Sequence, residues 1–410
     1  MHAWTDGSDV GNRLRDSREV PRFISTWAPF EVASCAMPAP RKLRVAVLFG
    51  GRSAEHEISL LSARNVVEAL DRERFEPILI GIDKSGRWLL QEEALLLGAA
   101  RDPRLAKLNP SMPDVTLAAH PDASGAGSLT IGGAAPAGID VVFPVLHGPL
   151  GEDGCIQGLL ELAGVPYVGA GVLGSSVGMD KDVMKRLLIE AEIPIVPHVT
   201  LRRAECERSP AAALDRCEAM GGYPLFVKPA NLGSSVGVSR AKDRQSLADA
   251  IEHAFEFDLK VIVEKAVDSP REIECAVLGN DEPIASIPGE IVVDHPDGFY
   301  SYTAKYIDEK GTTTKIPADL TGGEINAIQL LALQTFRTLE CAGLARIDFF
   351  RSKTGELFVN EINTLPGFTA ISMYPKLWEA SGIPPRELVG KLIDLALERG
   401  IRRSKLRTSA

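Results

Sequence analysis

The chain contains no C-x-x-C pair. Its six cysteines, at positions 35, 155, 206, 217, 275 and 341, are scattered, so they spell neither a thiol zinc site nor a disulfide framework. Reduced thiols in a cytoplasmic protein are the expectation. No apolar run approaches the roughly 18 residues that a membrane-crossing helix needs. Positive charge is in deficit too. With 45 Lys and Arg against 55 Asp and Glu, the formal net charge is −10, which argues against nucleic acid as the main partner. Two phosphate-loop spellings are missing as well. The first glycines do not read G-x-G-x-x-G, and no G-K-[ST] follows the glycine-rich loop at 231–238. No internal repeat or low-complexity tract stands out. What remains is a chain of 410 residues, 45% hydrophobic, with enough apolar material for a large core and two or three domains.

Residues 1–40 differ from the rest. They mix Arg13, Arg15, Arg18 and Arg22 with Gly, Ser, Pro and single aromatics, without a period. The stretch "FISTWAPFEV" is interrupted by Ser25, Thr26, Pro29 and Glu31, so it lacks the apolar centre of a signal peptide. We expect a disordered extension or an over-long start, with Met37 as an alternative initiator.

From Leu43 the pattern becomes regular. "LRVAVLFGG" predicts a buried parallel strand, "EHEISLLSARNVVEALD" a helix, and "EPILIGID" and "IDVVFPVLHG" further strands. Between them, 91–138 predicts a helix, loops and a small hairpin. Strands alternating with helices predict an open parallel α/β domain over 41–169. Asp180 is placed to cap a helix that stops before Pro194. Two β-rich runs, "YPLFVKPA" and "LKVIVEKAV", flank the helix "SLADAIEHAF" and complete an α+β unit over 170–262. The remainder, 263–410, predicts strands, a loop at 294–316, a long helix, a hairpin and a C-terminal helix.

Several stretches carry chemistry. "NLGSSVGV" follows the strand "LFVKPA" and can aim backbone N–H groups and the Ser234 and Ser235 hydroxyls at one anion. A Gly/Ser turn is more often purely structural. The neighbours point the other way: Lys228 ends a strand otherwise made for burial, and such a lysine needs an anionic partner. Lys181 opens a helix, where the macrodipole disfavours a cation, although a solvated helix residue is the plain alternative. Glu264 and Lys265 end another apolar strand, with Glu272 close by, where a base or ribose can be met, although charged strand ends are usually just solvated. The loops after the first and third strands bring Glu55, His56, Glu57, His147, Glu152 and Asp153 to the carboxyl edge of the sheet, where such folds bind ligands. "GFYSYTAKYIDEKG", with Lys305 and Tyr306, sits in a long loop, the usual place for a lid, or else supplies core aromatics.

The stretch "RIDFFRSKTGELFVNEIN" reads as a hairpin with Arg351 opposite Glu356. That register sets Asp348 opposite Val359, with Glu361 as its diagonal neighbour and Arg346 and Asn363 on the same face. An all-oxygen set of Asp, Glu and Asn suits Mg²⁺, with substrate phosphates completing the shell. A solvated hairpin face is the bland alternative. A slip of one residue would separate the two acids.

Taken in order, "GGRSAEHEIS", "HGPLGEDGCIQGLLELAGVPYVG", "SSVGMDK", "VKPANLGSSVGV", "AKY" and "RIDFF…VNEINTLPG" resemble the D-alanine–D-alanine ligases of the ATP-grasp superfamily over about 43–400. The resemblance implies a three-domain ATP-grasp fold and an ATP-dependent, ADP-forming ligation of two D-alanines for peptidoglycan. It implies that Lys181, Lys228, Ser235, Glu264, Lys265, Glu272 and Lys305 hold ATP. Asp348, Glu361 and Asn363 would bind two Mg²⁺ or Mn²⁺ ions. Glu55 and His147 would meet the first D-alanine, Arg346 and the backbone of Gly367 the oxyanion, and Ser372 and Met373 the second substrate. Glu55, Ser234 and Tyr306 would be linked by hydrogen bonds that pin the lid. A homodimer in the cytoplasm is the family expectation. A D-alanine–D-lactate ligase and a non-catalytic ATP-binding regulator are the rivals. Leucine is common in the family where this chain has Met373.

Overall fold

The computed structural model describes residues 41–98, 107–121, 127–134, 137–293 and 312–407. Residues 1–40, Lys305 and Tyr306 lie outside the described residues. The apolar run at the start forms strand β1 (Leu43–Gly50), which is buried from Val45 onward. Helix α1 (His56–Ala69) follows, and β2 (Phe75–Ile82) returns parallel to β1. Next come β3 (Trp88–Leu90), α2 (Glu93–Gly98) and a small antiparallel sheet of β4 (Val115–Leu117), β5 (Gly127–Ile131) and β6 (Ala137–Ile139). Strand β7 (Val141–Leu146) pairs parallel to β1 on its other side, so the first sheet runs β3-β2-β1-β7. The crossover geometry leaves the loops after β1 and β7 side by side at one edge.

Helices α3 (Cys155–Leu162), α4 (Val172–Met179) and α5 (Lys181–Glu190) lead onward. Asp180 caps α5 as expected, its side chain accepting from the N–H groups of Asp182 and Val183. The second sheet comprises β8 (His198–Arg202), β9 (Leu225–Pro229), β10 (Ser239–Ala241) and β11 (Lys260–Lys265), in the order β10-β9-β11-β8, all antiparallel. Helices α6 (Arg203–Arg208), α7 (Pro210–Glu218) and α8 (Arg244–Ala254) accompany it. The expected boundary at 262–263 cuts through β11, which continues to Lys265.

The third sheet contains β12 (Arg271–Gly279), β13 (Ile284–Ala285), β14 (Gly289–Val293), β15 (Thr312–Lys315), β16 (Gly343–Arg351) and β17 (Leu357–Asn363). Thr312–Lys315, expected within a loop, is thus an edge strand paired with β14. Helix α9 (Gly322–Thr338) opens with a capping box of Thr321 and Glu324. Two C-terminal helices, α10 (Met373–Ala380) and α11 (Pro385–Ser404), replace the single one expected. Their apolar faces share one core with β1 and β7, which joins Phe49, Phe143, Tyr374, Trp378 and Leu392. That core ties β1 and β7 to the two C-terminal helices.

Candidate active site

The hairpin register differs from the expected one, and the difference matters. Arg351 pairs with Leu357, not Glu356, and Phe349 with Val359. Such a one-residue shift would put Asn360 opposite Asp348 and turn Glu361 away. A bulge between Asp348 and Phe349 absorbs it. Asp348 therefore stands directly opposite Glu361, and Arg346 opposite Asn363. On the other side Glu274 of β12 pairs with Asp348. Three carboxylates, Glu274, Asp348 and Glu361, run in one row across three strands.

Arg346 is the cation among them. Its guanidinium grips both Asp348 oxygens at 2.7 Å and lies 2.9 Å from Glu274. Asn363 adds an amide donor to Asp348 at 3.0 Å. Burial alone would lower the arginine pKa, but Asp348 and Glu274 outweigh it and hold the charge firmly on Arg346. Among the described residues no group of three acids, histidines or cysteines closes on a common metal position. The donors themselves are all oxygens, adjacent by register, and fit a hard divalent cation whose shell a phosphate completes.

The facing wall is basic. Lys228, half-buried on β9, lies 2.6 Å from Glu264 Oε2 and donates to Asn360 Oδ1 at 3.2 Å. Asn360 is the residue that the bulge leaves unpaired, so the bulge also supplies this contact. Lys181 donates to the Leu232 carbonyl at 2.6 Å and lies 3.6 Å from Glu361. It thus bridges the Gly/Ser loop and the acidic row. Within that loop Ser234 and Ser235 adopt φ values of 53° and 58°, left-handed conformations that non-glycine residues reach at a cost of ~1 kcal/mol or more each. Glu272 lies one pleat from Glu274 on the same face of β12, opposite Phe350.

Two expected ATP ligands behave differently from a strand end that meets a base. Glu264 is buried, 2% exposed, and its carboxylate is engaged by two lysines. Burial opposes its ionisation, yet Lys185 and Lys228 more than offset that and hold it below the usual carboxylate range. Lys265 turns its ammonium to the carbonyl of Gly222 at 2.8 Å and to that of Gly221, and not to the other lysines. It lines a cavity of about 310 Å³ with Val196, Pro197, Val267 and Phe358.

The sheet-edge loops join the site from a third side. Ser234 Oγ donates to Glu55 Oε1, so the loops after β1 and β9 meet. The Glu55 carboxylate also approaches Gly148, where an added Cβ would stand 3.3 Å from Oε2. Buried His147 contacts the Leu365 carbonyl through Nδ1 at 3.2 Å and Ser62 Oγ through Nε2 at 3.2 Å. Phe368 N–H donates to the same Ser62 oxygen at 3.2 Å, and Asn65 donates to the Phe368 carbonyl at 2.8 Å. The Leu365 carbonyl can only accept, which puts a proton on His147 Nδ1 and leaves Nε2 of the neutral ring to accept from the Ser62 hydroxyl. Burial lowers its pKa in the same sense, against a smaller pull from Glu55. The segment 365–368, with Gly367 inside it, is clamped at both ends. Ser372 Oγ accepts from the Thr369 N–H at 3.0 Å, and Met373 turns its side chain into the core, 3% exposed.

The other sheet-edge candidates sort by role. Glu152 accepts from Gly148 N–H at 2.8 Å, and burial, then Glu55, raise its pKa well above the ordinary value. His56 packs with Nδ1 2.9 Å from the Gly51 carbonyl, Glu57 pairs with Lys84 at the surface, and Asp153 accepts from the Leu150 and Cys155 N–H groups. These three shape the loops. Sequence reasoning missed Ser62, Asn65, Lys185, Glu274 and Asn360. Ser59 and Ser62 were visible as polar residues on the apolar face of α1, the one available hint.

A family model described as the D-ala D-ala ligase N-terminus matches residues 44–170, and one described as the D-ala D-ala ligase C-terminus matches residues 187–394. The chain belongs to the D-alanine–D-alanine ligase family. It is 51% identical over 372 residues to a D-alanine–D-alanine ligase of Shouchella clausii, covering 90% of this chain and 98% of that protein. It is 49% identical over 376 residues to D-alanine–D-alanine ligase A of Escherichia coli K12, covering 90% and 99%. Among solved structures, the D-alanine–D-alanine ligase of Coxiella burnetii superposes with a TM-score of 0.76 at 39% identity, covering 89% of this chain and 98% of that one. The VanG D-Ala:D-Ser ligase of Enterococcus faecalis also reaches 0.76, at 37% identity, covering 87% and 100%. The fold is accordingly the ATP-grasp fold.

Proposed function

We propose that this protein joins two D-alanine molecules into D-alanyl-D-alanine, with ATP converted to ADP and phosphate, for peptidoglycan precursors. The observation that carries the reading is the meeting of a basic wall, Lys181 and Lys228, with an acidic row, Asp348 and Glu361, in a member of this family. Such a pair of surfaces suits a triphosphate accompanied by divalent cations. We read three domains, with the boundary expected at 262 moved to the end of β11, over 41–169, 170–265 and 266–410, and the protein as a cytoplasmic homodimer, as is usual in the family.

The chemistry follows from the residues. ATP lies with its phosphates between Lys181, Lys228 and the Gly/Ser loop carrying Ser235; the cavity of about 310 Å³ beside Lys265 takes the nucleoside end. Asp348, Glu361 and Asn363 would hold two Mg²⁺ or Mn²⁺ ions, which neutralise charge on the transferring phosphoryl group when bound. Glu55 receives the ammonium of the first D-alanine, with His147 alongside. The carboxylate of that D-alanine attacks the γ-phosphate, giving an acyl phosphate and ADP. The amine of the second D-alanine, held by its carboxylate at Ser372 and the backbone of Met373, attacks the acyl carbon. Arg346 and the Gly367 N–H stabilise the resulting oxyanion, and phosphate leaves. Lys305 and Tyr306 belong to the segment we assign as the lid. Water would hydrolyse the acyl phosphate, which makes a closure necessary.

Phosphate release measured with each of several D-amino acids tests the proposal. D-alanine alone should support release, with D-alanyl-D-alanine as product. A preference for D-serine or D-lactate as second substrate near neutral pH would move the chain to a neighbouring activity. ATP binding without turnover would leave a regulator.

A further inference from the structure

Helix α5 carries a second lysine one turn beyond Lys181, and the ligation chemistry makes no use of it. Lys185 is 0% exposed, and its ammonium lies 2.8 Å from Glu264 Oε1. The other oxygen of that carboxylate lies 2.6 Å from Lys228, the lysine that faces the cleft. One buried acid thus serves two ammonium groups, one behind it and one in front. Burial draws the Lys185 pKa below the ordinary lysine value against the pull of Glu264, whereas at Lys228 the same carboxylate outweighs burial and raises it; Glu361 and, at Lys228, Glu272 add weaker negative potential. His198 is the register partner of Glu264 on β8, and burial with Lys185 nearby keeps its imidazole neutral.

The arithmetic of charge gives Lys185 its meaning. A lone pair of Glu264 and Lys228 would be electrically closed, and a low-dielectric surround would strengthen that closure. Lys228 would then offer little net charge to an anion. A second cation behind the carboxylate returns one positive charge to the cleft side without being exposed itself. Burying a lysine completely is costly unless it is paired, so its presence needs a reason beyond surface decoration.

We propose that Lys185 is a positioning residue for the nucleotide: it satisfies Glu264 from behind, so that Lys228 directs its charge at the phosphates. It touches no substrate. The inference rests on the reading that ATP binds in this cleft.

Calorimetric titration of the full chain with ATP and Mg²⁺ tests it. Lys185→Met should weaken ATP binding by ~10-fold or more while D-alanine binding changes by less than ~2-fold. Lys185→Arg keeps a cation behind Glu264 and should bind ATP within ~3-fold of the parent. A purely structural lysine predicts losses of similar size for ATP and D-alanine. Parent-like ATP binding by Lys185→Met, or equal losses for the two ligands, overturns the proposal. If Lys185→Met does not fold, Lys185→Gln decides alone: an ATP-selective loss of ~10-fold or more supports the proposal, and parent-like ATP binding contradicts it. Failure of the parent itself to bind ATP would instead overturn the functional reading.

Discussion

At the sheet of β8–β11 two lysines, Lys228 on β9 and Lys185 on α5, share one acid, Glu264; on the sheet of β12, β16 and β17 one arginine is shared by two acids, Asp348 and Glu274. The two arrangements are near mirror images in sign. The two walls touch where Lys181 meets Glu361 and Lys228 meets Asn360. Charged groups kept on both faces cost desolvation that apolar residues would avoid. Walls of opposite sign fit a ligand that brings both signs, a polyphosphate with its cations.

Substitutions that alter one wall at a time would break or sharpen this comparison. The acidic row should be the more sensitive in rate. Glu361→Gln keeps shape and hydrogen bonding but loses charge, and D-alanine-dependent phosphate release should fall by ~10²-fold or more. Near-parental turnover would refute the metal assignment. Arg346→Met should show most in stability, because it leaves Asp348 and Glu274 without their shared cation. A loss of about 3 kcal/mol is expected from denaturant unfolding. No loss would mean that the acids find other partners at no cost.

Between the walls, the clamp on 365–368 should give a smaller effect. Ser62→Ala takes the donor from His147 Nε2 and the acceptor from Phe368 N–H. We expect kcat to drop ~10-fold with the KM for ATP little changed. Nitrogen chemical shifts of His147 offer a second check: the parent should show a neutral ring with its proton on Nδ1. The unfolded chain takes up a proton on this ring near its ordinary pKa of ~6.5, while the folded chain keeps it neutral. The contribution of His147 to stability is therefore complete above that pH and declines as pH falls through it.

The least sensitive site is the ion pair at the turn end of the hairpin. The Thr321 N–H and hydroxyl, then Arg351, hold the half-buried Glu324 down to about 2. Its carboxyl pKa is depressed by folding, so whatever it contributes is present above ~4.5 and is lost as pH falls toward 2. Glu324→Gln should lower Tm slightly at neutral pH, and the difference from the parent should vanish in acid.

Much of this was legible in the sequence, for physical reasons. Apolar runs ending in glycine marked β1 and β7, and an aspartate before an amphipathic stretch marked α5, because those signals are local. The face shared by Asp348, Glu361 and Asn363 was also legible, although the register was not. Two errors cancelled there: the loop is one residue longer than assumed, and the bulge restores the phase. A bulge depends on what the neighbouring strand and Lys228 require, which lies far away in sequence. Lys185 was hidden for a similar reason. An i,i+4 lysine after Lys181 looks like ordinary helix surface until β11 packs Glu264 against it. Glu264 and Lys265 looked equivalent in sequence, and only the tertiary fold separates the buried acid from the lysine tied to Gly221 and Gly222.

The central claim is that both walls act on one reaction. The most direct measurement follows phosphate and dipeptide together, with ATP, Mg²⁺ and D-alanine. The account predicts one phosphate released for each D-alanyl-D-alanine formed, and none without D-alanine. Phosphate release that ignores D-alanine, or tight ATP binding with no dipeptide, would contradict it.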